Sequence, residues 1–197
     1  MTSQIIAMIT FAFVGAVTPG PVNLLATSTA ASQGVGEAIK HVVAASFAYA
    51  LVVALCGVLM QSLLTVLPAL ETLMQWFGSA FLLYLAYQIF TAPSVPLAHQ
   101  KRTQSGWWTG SITQLLNPKA WLYALSGVSI YVLGQHHKML WLALYVLVSL
   151  LVCLVGIGVW AWLGHCLAQQ LSYPHRQTLF NRAMALVLTL SVVVIWI

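Results

Sequence analysis

The sequence contains very few charged residues. Only 5% of its 197 residues are Asp, Glu, Lys or Arg, whereas 61% are hydrophobic and the mean hydropathy is +0.93. A soluble domain has about a quarter of its residues charged, because its surface faces water. The composition therefore excludes a soluble globular protein and predicts an all-α integral membrane protein, whose backbone polar groups are satisfied inside helices.

Acidic residues are especially scarce. The chain has no Asp, and its two Glu residues, Glu37 and Glu71, face seven Lys and Arg residues, which gives a net charge of +5. The basic residues are scattered between apolar segments and form no stripe, which excludes nucleic acid as a partner. They fit loops that face anionic membrane lipid. Away from their ends, the apolar segments also lack the carboxylate that usually carries protons.

Catalytic and metal-binding motifs are absent as well. The three cysteines, Cys56, Cys153 and Cys166, have no Cys-x-x-Cys spacing, so neither a disulfide framework nor a redox pair is predicted. His165 precedes Cys166 but lacks acidic partners and regular ligand spacing, and we predict no metal site. No nucleophile elbow, zinc-protease motif or phosphate loop is present. The sequence predicts no enzyme and no cofactor.

Six apolar segments are each long enough to cross a bilayer, which takes about 20 residues. Short connections join them, so we predict a single transmembrane domain over 1–197. Its first three-helix repeat covers about 1–92, a cytoplasmic loop about 93–106, and its second repeat about 107–197. The predicted spans are 4–31, 42–66, 69–90, 107–133, 139–165 and 178–197.

Basic residues predict the orientation of these spans. The loops after the first, third and fifth spans, with the start of the sixth, hold five basic residues, whereas the opposite side holds only Lys138. By the positive-inside rule the first group is cytoplasmic and both termini lie outside. Three helices in each half make the second half enter from the opposite side, which predicts an inverted repeat. The five residues are Lys40, Lys101, Arg102, Arg176 and Arg182.

Two proline motifs interrupt these apolar segments. Thr18-Pro19-Gly20-Pro21 lies within the first span and Asn117-Pro118-Lys119 within the fourth. Proline removes an amide donor and clashes with the preceding turn, so we expect both helices to be broken there. Two broken helices at corresponding places are typical of a secondary transporter with a midplane binding site. A proline kink patched by neighbouring side chains is the alternative.

The residues around the two motifs are the candidate binding site. The half-helix ends can hold the ammonium and carboxylate of an amino acid. Lys119 is the candidate counter-ion of the carboxylate; alternatively, its helix begins near Pro118 and its side chain snorkels to the headgroups. The predicted substrate-binding residues are Thr18, Pro19, Gly20, Pro21, Asn23, Gln114, Asn117, Pro118 and Lys119. Thr27, Tyr49, Tyr84 and Trp121 are candidate cavity-lining residues.

These motifs resemble those of a known family. Phe13 to Leu25 with its Thr-Pro-Gly-Pro, the glycines Gly34 and Gly36, and Leu115 to Ala120 with its Asn-Pro-Lys are similar to the LysE/RhtB family of bacterial amino-acid exporters. The resemblance implies export of amino acids or their derivatives across the bacterial inner membrane, driven by the proton gradient, by alternating access. Family members commonly have Asn after the second proline, where this chain has Val22.

Several alternatives stay open from the sequence. In length and at its tail the chain is similar to family exporters of cysteine and O-acetylserine, and homoserine, threonine and other amino acids remain open as substrates. A cation or heavy-metal permease of related architecture is one competing hypothesis. An intramembrane hydrolase that uses Ser126 and His165 is another. The small bundle is compatible with a homodimer.

Overall fold

The computed structural model describes residues 2–91, 105–170 and 173–195, so residues 93–104 of the predicted loop lie outside it. Within the described ranges the chain forms helices and no β-strand, which confirms the predicted all-α class. The helices are α1 (Thr2–Val17), α2 (Pro21–Gln33), α3 (Val35–Thr91), α4 (Gly106–Leu115), α5 (Pro118–Tyr131), α6 (Lys138–Gln170) and α7 (Pro174–Ile195).

The first proline motif breaks the first span as predicted. Helix α1 ends at Val17, α2 begins at Pro21, and their axes bend by 58°. Pro21 takes the first helical position, where the missing amide donor has no intrahelical partner in any case. Gly20 precedes it in extended backbone (φ −170°, ψ 174°). We call residues Thr18 to Gly20 the first break.

The second proline motif breaks the fourth span in the same way. Helix α4 ends at Leu115, and α5 begins at Pro118. Asn117 caps α5, because its Oδ1 accepts a hydrogen bond from the Lys119 backbone N–H at 3.2 Å. We call Leu116 and Asn117 the second break.

Helix α3 differs from the predicted second and third spans. It begins after Gly34, whose φ of +89° is a value that L-residues rarely adopt. It stays helical through positions 67 and 68, so the predicted boundary between those spans is wrong. The non-helical residue within α3 is Leu59 (φ −104°, ψ 15°). It follows Gly57 closely, and glycine is a common cause of helix kinks.

Some of the predicted spans correspond to helices that could cross a membrane. Among the described residues, Val35–Leu59 and Lys138–Ala168 are each long and apolar enough to cross a bilayer, and the bent pair of α1 and α2 can make a third span. These match the first, second and fifth predicted spans. Many large apolar side chains, including Phe47, Trp76 and Trp162, are exposed on the outside, as expected of a surface that faces lipid.

The two predicted repeats interlock rather than lying side by side. Helix α4 lies on α3, since a Cβ added at Gly106 would come within 2.1 Å of the Glu37 carbonyl oxygen. Helix α6 lies on α1 and α2, since a Cβ at Gly156 would be 2.9 Å from the Ala16 Cβ, and one at Gly164 would be 2.2 Å from the Thr27 carbonyl oxygen. Glycine permits these close approaches. The packing brings both breaks to the centre of the bundle.

Two buried apolar clusters hold this arrangement. The larger one joins α1, α2, α3, α5 and α6 and includes Met8, Val52, Val128 and Tyr145, all fully buried. The smaller one joins α2, α3 and α7. Helix α2 therefore contacts apolar residues on both sides, and all of its residues from Pro21 to Ala31 are buried. Its position at the core fixes where the first break faces.

Candidate functional site

A cavity lies between the two breaks. Helices α1 to α6 all contribute residues to its wall, and its volume is about 50 Å³. Six of the predicted substrate-binding residues and the predicted lining residue Tyr49 are among its walls. The full lining is Gly15, Ala16, Thr18, Gly20, Val22, Asn23, Tyr49, Gln114, Asn117, Lys119, Ala120, Tyr123, Cys153 and Ile157.

Side chains satisfy the backbone carbonyls of the first break. The Asn23 Nδ2 group donates to the carbonyl oxygens of Ala16 (2.9 Å) and Thr18 (3.0 Å). The Trp160 indole N–H of α6 donates to the Val17 carbonyl at 3.1 Å. A carbonyl released by a helix break needs such a partner away from water. The carbonyls that we expected to hold a substrate ammonium are therefore already engaged by the protein.

The second break is satisfied by its own neighbours. The Trp121 indole N–H donates to the Leu115 carbonyl at 2.9 Å, and Asn117 caps α5. The Leu116 carbonyl approaches α3 so closely that a Cβ at Gly78 would lie 2.6 Å from its oxygen. A helix break thus persists here because glycine leaves room for an unwound backbone.

The cavity is electropositive. Helices α2 and α5 both begin at it, and a helix N-terminus carries a partial positive charge and free amide donors. Lys119 adds a full positive charge to the wall. Within the described part of the chain no carboxylate pairs with Lys119; the ion pair present there joins Lys40 and Glu37. A carboxylate is the complementary ligand for such a site.

Lys119 points into the bundle. Its side chain is partly buried, and its ammonium nitrogen lies 5.6 Å from the centre of the Tyr123 ring, within the range of a cation–π interaction. A Cβ at Gly20 of the first break would lie 3.8 Å from the same nitrogen. Helix α5 does begin at Pro118, as the snorkelling alternative assumes, but the side chain bridges towards the opposite break.

The remaining predicted residues lie outside the cavity wall. Pro19 is exposed, and Pro21 and Pro118 are buried at the first positions of α2 and α5. Thr27 Oγ1 lies 3.0 Å from the carbonyl oxygens of both Asn23 and Trp160, and Trp121 packs against the larger apolar cluster. Tyr84 is 49% exposed, on the outer face of α3.

The cavity also contains residues that the sequence reasoning missed. Tyr123 follows Lys119 by four residues, which places both on one face of α5. Cys153 and Ile157 have the same spacing on α6. This spacing was readable from the sequence, but nothing in the sequence indicated which face of α6 meets the breaks.

His41, which follows Lys40 between the first and second predicted spans, is fully buried. Its Nε2 lies 3.0 Å from the carbonyl oxygen of Val22, a cavity residue, and its Nδ1 lies 3.1 Å from Thr109 Oγ1 of α4. Glu37, one turn earlier, is also buried and accepts a hydrogen bond from the Gly106 N–H at 2.9 Å. Both side chains attach α3 to the start of α4.

The structure offers no hydrolase geometry at Ser126 and His165. Both side chains are exposed, and Ser126 Oγ donates to the Leu122 carbonyl of its own helix at 2.8 Å. His165 faces an apolar groove between α6 and the α2–α3 connection, whose lining does not include Ser126.

Comparison with known proteins identifies the family. The sequence model described as LysE type translocator matches residues 13–195. The chain is 32% identical over 182 residues to the cysteine/O-acetylserine efflux protein of Salmonella typhimurium (strain LT2), and 33% identical over 182 residues to that of Escherichia coli (strain K12). Each alignment covers 91% of this chain and 90% of the relative. No solved structure matches the chain. The predicted resemblance is thus confirmed: this chain is a transporter rather than an enzyme, and it belongs to the LysE type translocator family.

Proposed function

We propose that the protein exports a small zwitterionic amino acid, or a derivative of one, from the cytoplasm. The observation that carries this proposal is the electropositive cavity between the two breaks, where the N-termini of α2 and α5 meet Lys119. An amino acid always has a carboxylate, which such a site favours. The export direction and the amino-acid class come from the efflux proteins that this chain is similar to.

In this proposal Lys119 binds the substrate carboxylate. Its ammonium lies between the two breaks and contacts the Tyr123 ring by a cation–π interaction. Among the described residues it forms no ion pair with a carboxylate. The substrate ammonium then faces neutral acceptors in the same wall, for which the side-chain oxygens of Gln114 and Thr18 are available. Ammonium and carboxylate are both satisfied without burying an unpaired charge, which would be unfavourable.

The substrate side chain is proposed to be small. The cavity has a volume of only about 50 Å³, and Val22, Tyr49, Cys153 and Ile157 are among the side chains that line it. Cysteine and O-acetylserine, named for the relatives, have short side chains and are the first substrates to test. Val22, where relatives of the family commonly have Asn, makes this wall apolar.

The cavity argues against the cation and heavy-metal permease. Lys119 and two helix N-termini repel a cation, and the residues lining the cavity include no Asp or Glu. Cys153 is the wall's thiol, and one thiol beside an ammonium is a poor ligand set for a metal ion.

The wider proposal concerns transport in the membrane. We propose six spans in the bacterial inner membrane as two inverted repeats, with both termini outside, alternating access to the central site and coupling to the proton gradient. The interlocked helices support motion of α4 together with α3, because glycine contacts hold those two helices closely. A homodimer is part of the same proposal.

The test is the amino-acid content of the medium from cells that overexpress the protein, measured by mass spectrometry. Wild type, Lys119→Met and Lys138→Met are compared at matched membrane levels; Lys138 is an exposed lysine at the start of α6. We expect one or a few small amino acids to accumulate with wild type and Lys138→Met. With Lys119→Met we expect the accumulated amino acid to fall by a factor of about ten or more, because a hydrogen bond to a charged group contributes about 1.5–3 kcal/mol.

Two results would contradict the proposal in different ways. An unchanged medium with the wild type overturns amino-acid export. Equal accumulation with Lys119→Met and the wild type keeps export but removes Lys119 from the carboxylate site.

A further inference from the structure

His41 is a buried titratable residue that does not line the cavity and has no part in the proposed substrate binding. Its side chain is fully buried between three helices: its own α3, α2 through the Val22 carbonyl, and α4 through Thr109. Helix α4 lies directly on this part of α3, because a Cβ at Gly110 would come within 2.4 Å of the His41 carbonyl oxygen. The imidazole therefore sits where the two half-helices next to the cavity are joined to α3.

Both protonation states of this imidazole can be satisfied. A carbonyl only accepts, so Nε2 carries a proton and donates to Val22 in either state. In the neutral ring Nδ1 accepts from the Thr109 hydroxyl. In the protonated ring Nδ1 donates to Thr109 Oγ1, and the hydroxyl turns to the Gly106 carbonyl, which is already 3.2 Å away. Protonation thus needs a rotation of one hydroxyl and no new partner.

The charged surroundings of His41 are simple. Neither α2 nor α4, the two helices whose atoms contact the ring, contains a titratable side chain. On α3, Glu37 lies one turn earlier and pairs with Lys40 at 2.8 Å. Lys119 of α5 shares the cavity wall with Val22. A proton added to His41 is therefore placed one helical turn from a buried carboxylate and on the other side of Val22's hydrogen bond from the cavity wall.

The same geometry connects His41 to the substrate. Val22 lies in the cavity wall, at the N-terminal end of α2 where the carboxylate is proposed to bind. Protonation converts the hydrogen bonds to Val22 and Thr109 into charge-assisted ones, which are stronger. A proton on His41 changes how firmly α2 and α4 are held to α3. Because coupling between two sites is reciprocal, substrate binding also changes proton binding.

We propose that His41 binds the proton whose inward movement drives export. This rests on the proposed function, and it supplies a proton carrier in a chain without Asp. One proton enters from outside, binds Nδ1 and leaves to the cytoplasm, while one zwitterion moves outward. The balance is one positive charge inward per cycle, so transport responds to membrane potential as well as to the pH gradient.

The test uses the purified full chain in liposomes with a ¹⁴C-labelled amino-acid mixture supplemented with labelled O-acetylserine. Two reactions are compared: exchange of substrate across the membrane without a gradient, and accumulation driven by an imposed pH gradient. For His41→Gln, which keeps a donor but cannot titrate, we expect exchange to persist and accumulation to fall about tenfold or more. His165→Gln, which removes an exposed histidine of α6, is expected to match the wild type in both reactions.

Thr109→Val provides a second measurement that does not depend on replacing His41. It removes the hydroxyl on which both states of Nδ1 rely, and it disfavours the charged ring more, because the lost bond is stronger there. We expect the pH midpoint of exchange to move to lower pH by about one unit. If His41→Gln loses exchange as well, the Thr109→Val variant decides. A shift of its pH midpoint to lower pH supports the proposal, and a pH profile equal to that of the wild type overturns it.

The other outcomes separate this proposal from the proposed function. Gradient-driven accumulation by His41→Gln at the wild-type level overturns the role of His41 and leaves export intact. Exchange by the wild type without any response to a pH gradient overturns proton coupling and the role of His41 with it, and leaves export intact. No exchange by the wild type overturns export itself, and the role of His41 with it.

Discussion

The two helix breaks share a sequence signal but are built differently. The first is hydrogen-bonded from two directions: Asn23 reaches back to Ala16 and Thr18, and Trp160 of α6 bonds to Val17. The hydrogen bonds of the second come from its neighbours in sequence, Asn117 and Trp121, and its backbone packs closely against Gly78 of α3; it also carries the cavity's lysine. The comparison teaches that one proline signal has two solutions: the first break takes a hydrogen bond from a distant helix, whereas the second bonds locally, needs room on α3 and supplies the charge.

The largest expected effect concerns the room left for the second break. In Gly78→Ala the new Cβ would meet the Leu116 carbonyl oxygen at 2.6 Å, and a backbone atom cannot move aside as a flexible side chain can. We expect the free energy of unfolding to fall by about 3 kcal/mol, at the upper end for overpacking. Denaturant titration in lipid–detergent micelles measures it.

Gly158→Ala is the matched control for that change. A Cβ at Gly158 meets nothing within 4 Å, and alanine is the better helix former. We expect no loss of stability, or a gain of about 0.5–1 kcal/mol. Equal destabilisation by both substitutions would mean that the close approach of α3 does not hold the second break.

The next largest effect concerns the first break. Asn23→Ala removes the donor for the Ala16 and Thr18 carbonyls and leaves both without that partner. We expect a loss of about 2 kcal/mol, taking about 1 kcal/mol for each hydrogen bond inside a membrane protein. The same titration measures it. If Asn23→Ala lowers the free energy of unfolding by less than Asn117→Ala does, the two breaks do not differ in the way described.

The smallest of the three effects concerns the cap of α5. Asn117→Ala removes one hydrogen bond, from Lys119 N–H to the Asn117 side chain. Loss of an Asn cap destabilises by about 1 kcal/mol. Asn117→Asp, which keeps the acceptor, should retain most of the stability. If Asn117→Ala is more destabilising than Asn23→Ala, the Asn side chain of the first break does not contribute more stability than the Asn side chain of the second.

The sequence predicted correctly the helix breaks, which arise within one helix, and it missed features that depend on contacts between helices. The breaks were predictable, because proline acts on its own helix. The predicted boundary at 67–68 was wrong, since α3 continues through it and kinks at Leu59. His41 follows Lys40 between two predicted spans, and its burial depends on the glycines of α4, which let that helix lie on α3. The sequence of α6 gave no sign of which of its faces meets the cavity.

The sequence by itself determined the helical class, the membrane environment, the two breaks and the family, because composition and proline geometry act locally. Tertiary structure decided what the breaks enclose. Packing of the second half of the chain against the first brings Lys119 towards the first break, Cys153 and Ile157 into the cavity wall, and His41 between α2 and α4. These positions depend on close contacts between residues up to 143 positions apart, and the hydrophobic pattern of one helix does not specify its partners.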